Sequence, residues 1–134
     1  MEIKLKHFKK HCDSRGQLVA IEDENDLGFP IKRVYYIYGA SHEVRRGFHA
    51  HKELQQYLIC MSGECKILLD DGHEKEVVLL NDPSVGLYIG PSMWREMYDF
   101  TPGTVLVVLA SMHYSELDYI RDYNEFIKYC TETK

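Results

Sequence analysis

Apolar and polar positions alternate with a period of two along most of this chain. The alternating or short apolar runs fall at residues 2–8, 17–22, 31–39, 46–51, 54–63, 64–72, 74–80, 85–91, 93–100 and 104–111. They are rich in Val, Ile, Leu and Tyr and are bounded by turn residues, so each reads as a strand. Ser62-Gly63 and Asp71-Gly72 have the composition of tight hairpin turns. Residues 81–84 (NDPS) and 101–103 (TPG) read as loops. Evenly spaced short strands predict an all-β sandwich or closed barrel, which also protects sheet edges. Only residues 115–130 change period. Leu117, Ile120, Tyr123, Phe126, Ile127 and Cys130 recur near every 3.6 residues behind a Ser115-x-x-Asp118 capping pattern. This predicts a short C-terminal helix packed on the barrel.

Composition narrows the class. At 134 residues the chain is one domain, residues 1–134, and 45% of it is hydrophobic, which excludes a disordered segment. No apolar run approaches about 18 residues, so no membrane span is expected. The opening MEIKLKHFKK lacks an apolar signal region, and a cytoplasmic location is expected. A net charge of -5 argues against a nucleic-acid partner, yet leaves room for a local basic pocket. Cys12, Cys60, Cys65 and Cys130 show no zinc spacing, and free thiols are expected, with Cys60 and Cys65 buried. Trp94, Tyr88 and Tyr114 read as core aromatics, and Asp70-Asp71 as a solvated hairpin tip.

The candidate chemistry lies in RRGFHAHKELQQYLICMSG, residues 45–63. His49 and His51 flank Ala50, so on a strand both imidazoles point to one face. The segment from His49 to Gly63 resembles the first motif of the cupin family. The resemblance implies a double-stranded β-helix, a jelly-roll-like barrel. In metal cupins the position of Gln56 is a glutamate ligand, and that of Arg95 is a histidine. A carboxamide is a weak ligand and a guanidinium stays charged, so no metal is expected. Glu96 should face away from Arg95, and Glu53 belongs to a loop. Arg33 and Tyr35 share a face of IKRVYYIYG, Arg46 precedes His49 by three residues, and Arg15 lies in the turn DSRG. Arginine forks suit phosphate oxygens.

IKRVYYIYG, RGFHAHK, VGLYIGP, MWREM and LDYIRDY together resemble the dTDP-sugar 3,4-ketoisomerases, cupin enzymes of bacterial deoxyamino-sugar biosynthesis. The resemblance runs from about Phe8 to Phe126. It implies an isomerase that moves the ketone of dTDP-4-keto-6-deoxyglucose from C4 to C3 through an enediol, with no cofactor. It implies His49 as the base at C3, His51 as its partner, and Tyr35 as a hydrogen-bonding or proton-relaying group. Arg33 and Arg46 are then the diphosphate candidates, with Gln56 orienting a histidine or the substrate. The family also implies a homodimer with exchanged N-terminal strands, and a product passed to a transaminase on the way to O-antigen or S-layer glycans. Arg15 resembles the branch that yields a galacto-configured product, and Arg95 the gluco branch. The galacto outcome is favoured. The alternatives are a cupin 3,5-epimerase of the same nucleotide sugars, a non-catalytic sugar-nucleotide binder, and a metal dioxygenase.

Overall fold

A computed structural model of the chain describes residues 1–132. Among the described residues, twelve short strands precede one α-helix, with a single π-helical turn at Asp23–Leu27 between the third and fourth strands: β1 Leu5–His7, β2 His11–Asp13, β3 Gly16–Leu18, β4 Arg33–Tyr38, β5 Arg46–His51, β6 Gln56–Ser62, β7 Cys65–Asp70, β8 Lys75–Leu80, β9 Val85–Ile89, β10 Trp94–Tyr98, β11 Val105–Ala110, β12 Tyr119–Ile120 and α1 Tyr123–Glu132. Two antiparallel five-stranded sheets face each other, ordered β1-β9-β6-β11-β4 and β12-β5-β10-β7-β8. This is the jelly-roll-like barrel expected of the sequence. β2 and β3 form a separate two-stranded hairpin.

Alternation explains the core. Leu58 and Cys60 of β6, Ile67 and Leu69 of β7, Leu87 and Ile89 of β9, and Leu106 and Val108 of β11 point between the sheets and are buried together. Their neighbours point outward, as a period of two requires. The outer faces are covered as well. Residues Leu27 and Phe29 pack with Ile59 and Leu109 on the back of the first sheet. Phe126 and Cys130 of α1 pack with Ala50, Trp94 and Ile120 on the back of the second. Cys60 and Cys65 are buried free thiols, and Trp94 is core, both as expected. No helix among the described residues is long and apolar enough to cross a membrane.

Several sequence expectations are corrected. The helix starts at Tyr123, not Ser115. Residues 116–118 form a single 3-10 turn whose Ser115 makes no side-chain cap. The working cap is Asp122, whose Oδ1 accepts the Glu125 backbone N–H at 3.0 Å. The strand expected over 17–22 ends at Leu18, because Val19 and Ile21 turn onto the back of the first sheet. Tyr114 is not core but 59% exposed. Asp70 is not solvated: it is buried, accepting the Tyr123 hydroxyl at 2.6 Å and the Gly72 N–H at 2.8 Å.

Candidate active site

At one end of the barrel the inward positions change from apolar to polar. β6 contributes Gln56 where Leu58 and Cys60 continue the core, and β10 contributes Arg95 one inward step from Met97. Ala110 of β11 stands opposite both Gln56 and Arg33, and its small side chain leaves room there. β5 places His49 opposite Arg95. The result is a cleft of about 340 Å³ whose lining includes Arg33, Tyr35, Arg46, His49, Tyr119 and Arg121.

A β-bulge builds one wall. Arg46 pairs with Met97, Gly47 with Glu96 and His49 with Arg95, leaving Phe48 as the extra residue. In a regular strand Arg46 and His49, three positions apart, would face opposite sides. The bulge turns both toward the cleft. Gly47 has φ +93°, and a Cβ there would lie 2.8 Å from the Arg95 carbonyl oxygen. Glycine is required on both counts.

The two imidazoles meet edge to face with centroids 4.9 Å apart. His51 is buried, and its Nδ1 lies 3.1 Å from Asp118 Oδ2. Asp118 is held in turn by the backbone N–H groups of Glu53 and Leu54, at 2.8 and 3.3 Å. The carboxylate accepts, so His51 carries its proton on Nδ1 and presents Nε2 as an acceptor. Tyr119 packs against both rings, at 5.0 Å from His49 and 4.3 Å from His51.

Burial, then the nearby Arg95 cation, lower the His49 pKa to about 4. The same two causes hold His51 well below the usual histidine range. Both histidines are therefore neutral at pH 7 and able to take a proton. Burial pushes the Tyr35 hydroxyl upward, so it is a neutral donor. Arg95 is also buried, and burial lowers its pKa to about 10, which leaves it charged at neutral pH. Its Nε and Nη2 donate to the Met93 carbonyl at 3.2 and 3.1 Å, and Nη1 donates to Gln56 Oε1.

The structure thus brings together His49, His51, Tyr35, Arg33, Arg46, Gln56 and Arg95. Arg15 stands apart. It lies on the β2–β3 hairpin, its side chain 88% exposed and paired with Asp13 at 2.7 Å. Glu96 faces away from Arg95, as expected, binding Arg45 and the Trp94 indole. Among the described residues no group of three His, Cys, Asp or Glu could hold a metal ion. Three residues of the site escaped sequence reasoning: Asp118, Tyr119 and Arg121. Arg121 stacks over Tyr119 at 4.0 Å and is clamped by both carboxylate oxygens of Glu116. Only the apparent helical period of 115–130 concealed them, since a strand reading of Tyr119 and Ile120 would have aimed this segment at β5.

A family model described as "FdtA: WxcM-like, C-terminal" matches residues 1–131. The chain is 54% identical over 129 residues to the TDP-4-oxo-6-deoxy-alpha-D-glucose-3,4-oxoisomerase of Aneurinibacillus thermoaerophilus, covering 96% of this chain and 93% of that protein. It resembles, at 50% identity and a TM-score of 0.95, a histidine-to-asparagine mutant of the 3,4-ketoisomerase QdtA from Thermoanaerobacterium thermosaccharolyticum in complex with TDP-4-keto-6-deoxyglucose. That match covers 98% of this chain and 95% of the other. The WlaRB TDP-quinovose 3,4-ketoisomerase of Campylobacter jejuni matches at 48% identity and a TM-score of 0.90, covering 94% and 97%.

Proposed function

Because the chain belongs to the FdtA, WxcM-like C-terminal family and is a TDP-sugar 3,4-ketoisomerase, we propose how its cleft moves the ketone of TDP-4-keto-6-deoxyglucose from C4 to C3. The C3 proton is acidic because the C4 carbonyl is adjacent. His49, neutral and at the cleft surface, removes it, while the C4 oxygen takes a proton from the Tyr35 hydroxyl. The enediol so formed returns its O3 proton to the Tyr35 phenolate oxygen and takes the proton held on His49 at C4, leaving the ketone at C3 and both residues in their starting protonation states. Every proton removed is matched by one returned, and no electron acceptor is needed. His51, aligned by Asp118, stands behind His49 and exchanges its proton. Arg33 and Arg46 bind the diphosphate, whose oxygens match their guanidinium forks.

The observation that carries this reading is a set of buried polar atoms without partners around one cleft: His49 Nδ1, His51 Nε2 and Arg33 Nε. Buried polar atoms are normally paired, and three left open together mark a place for a polar ligand. A divalent cation does not fit the donor set, because Arg95 puts a fixed positive charge where a cupin ligand would stand.

Both imidazoles stand on one wall. A proton taken from C3 and one returned to C4 on that same side of a D-gluco ring leave the C4 hydroxyl axial, a galacto product. We further infer a cytoplasmic homodimer. β1 here pairs with β9 of its own chain, and an exchanged strand would take the same register on the partner. The test is a proton NMR time course with chelator-treated protein and TDP-4-keto-6-deoxyglucose. A 3-keto product with a small H4–H5 coupling is expected. No conversion would overturn the reading, and a large diaxial coupling would overturn the galacto assignment alone.

A further inference from the structure

We propose that Gln56, held by Arg95, is a positioning residue that aims the Tyr35 hydroxyl hydrogen into the cleft; this deepens the ketoisomerase reading and rests on it. A guanidinium has only N–H donors. Arg95 is completely enclosed and anchored to the Met93 carbonyl, so the Gln56 atom facing its Nη1 must be the amide oxygen. That choice turns the Gln56 NH2 toward Tyr35, whose hydroxyl oxygen accepts from Nε2 at 2.9 Å. A hydroxyl has one hydrogen. With the Gln56 side already occupied by an incoming N–H, the Tyr35 hydrogen has to point elsewhere, and Tyr35 lines the cleft beside His49.

The relay makes use of two buried polar residues that the proton-transfer steps do not otherwise employ. Gln56 is 1% exposed and Arg95 2%, so neither is placed to take up a substrate group at the cleft surface. A glutamate at position 56 would still pair with Arg95 but would reverse the relay. Its second oxygen would accept the Tyr35 hydrogen and withdraw it from the C4 oxygen.

Gln56→Glu is therefore expected to lower kcat at least tenfold with KM for the nucleotide sugar nearly unchanged. Tyr35→Phe should cost about 10²-fold, the usual scale for a lost general acid. The double variant should be no slower than Tyr35→Phe alone, because both changes delete one function. A near-normal kcat for Gln56→Glu, or effects that multiply, would overturn the relay. If Gln56→Glu fails to fold, the unaltered protein still decides. Nuclear Overhauser contacts should run from the Gln56 side-chain NH2 to the Tyr35 ring. Contacts from that NH2 to the Arg95 guanidinium protons instead would overturn the proposal. Absence of turnover in the unaltered enzyme would defeat the ketoisomerase reading itself, whereas normal turnover with a reversed amide defeats only the relay.

Discussion

His49 is 9% exposed, just enough to touch a substrate and too little to keep an ordinary pKa. As the proposed base it acts in its neutral form, and burial with Arg95 lowers its pKa to about 4. Protonation, and so loss of activity, is displaced to acid relative to a free imidazole near 6.5. The profile of kcat/KM, which reports the free enzyme, should stay level as pH falls through 6.5 and break nearer 4. A break centred at 6.5 would mean that His49 is solvated or is not the base. Arg46 poses a different question. As the proposed diphosphate contact, it would bind rather than react, so Arg46→Ala should raise KM for the nucleotide sugar several-fold more than it lowers kcat, read from initial rates. An unchanged KM would remove it from the diphosphate site. The histidine pair was legible in the sequence because alternation alone fixes their common face. Asp118 was not, because its partner His51 is 67 residues away and its local spacing imitated a helix cap.

At the scale of elements, strand β5 depends on its bulge. Gly47 accepts a positive φ and a backbone approach that any side chain would block, and the bulge brings Arg46 and His49 to one face. Gly47→Ala should destabilise the fold by at least about 1 kcal/mol in urea unfolding, the usual order for Ala at positive φ. It should also lower kcat/KM, since Arg95 and His49 are paired across the same register. Normal stability and activity would show that β5 tolerates a regular register. The bulge left only a faint trace in the sequence, a glycine inside a strand-like run. The strand periods of β4, β6, β7 and β11 were legible because one face of each is buried against the opposite sheet. The helix boundary was not, because β12 and α1 both bury apolar residues on one sheet. Ile120, Phe126 and Cys130 therefore read as one stripe although a turn divides them.

For the molecule as a whole, an acidic chain with a net charge of -5 gathers four arginines, Arg33, Arg46, Arg95 and Arg121, at one end of its barrel. Three line the cleft, and Arg95 lies behind it. The apolar core ends where these residues begin, so the same two sheets provide both rigidity and a site. Total charge said nothing of this local field; the pairing of two sheets creates it. Arg15 shows the converse, since a motif residue placed by resemblance lies on an exposed hairpin outside the cleft of this chain. The proposed reaction depends on His49 as the base that opens the C3–H bond. The most direct measurement is hydrogen exchange of TDP-4-keto-6-deoxyglucose in deuterated water, followed by NMR, with the unaltered enzyme and with His49→Asn. The unaltered enzyme should give 3-keto product carrying deuterium at C4. The variant should still bind TDP yet leave the C3 hydrogen in place. Exchange or turnover at a near-normal rate in the variant would contradict the mechanism.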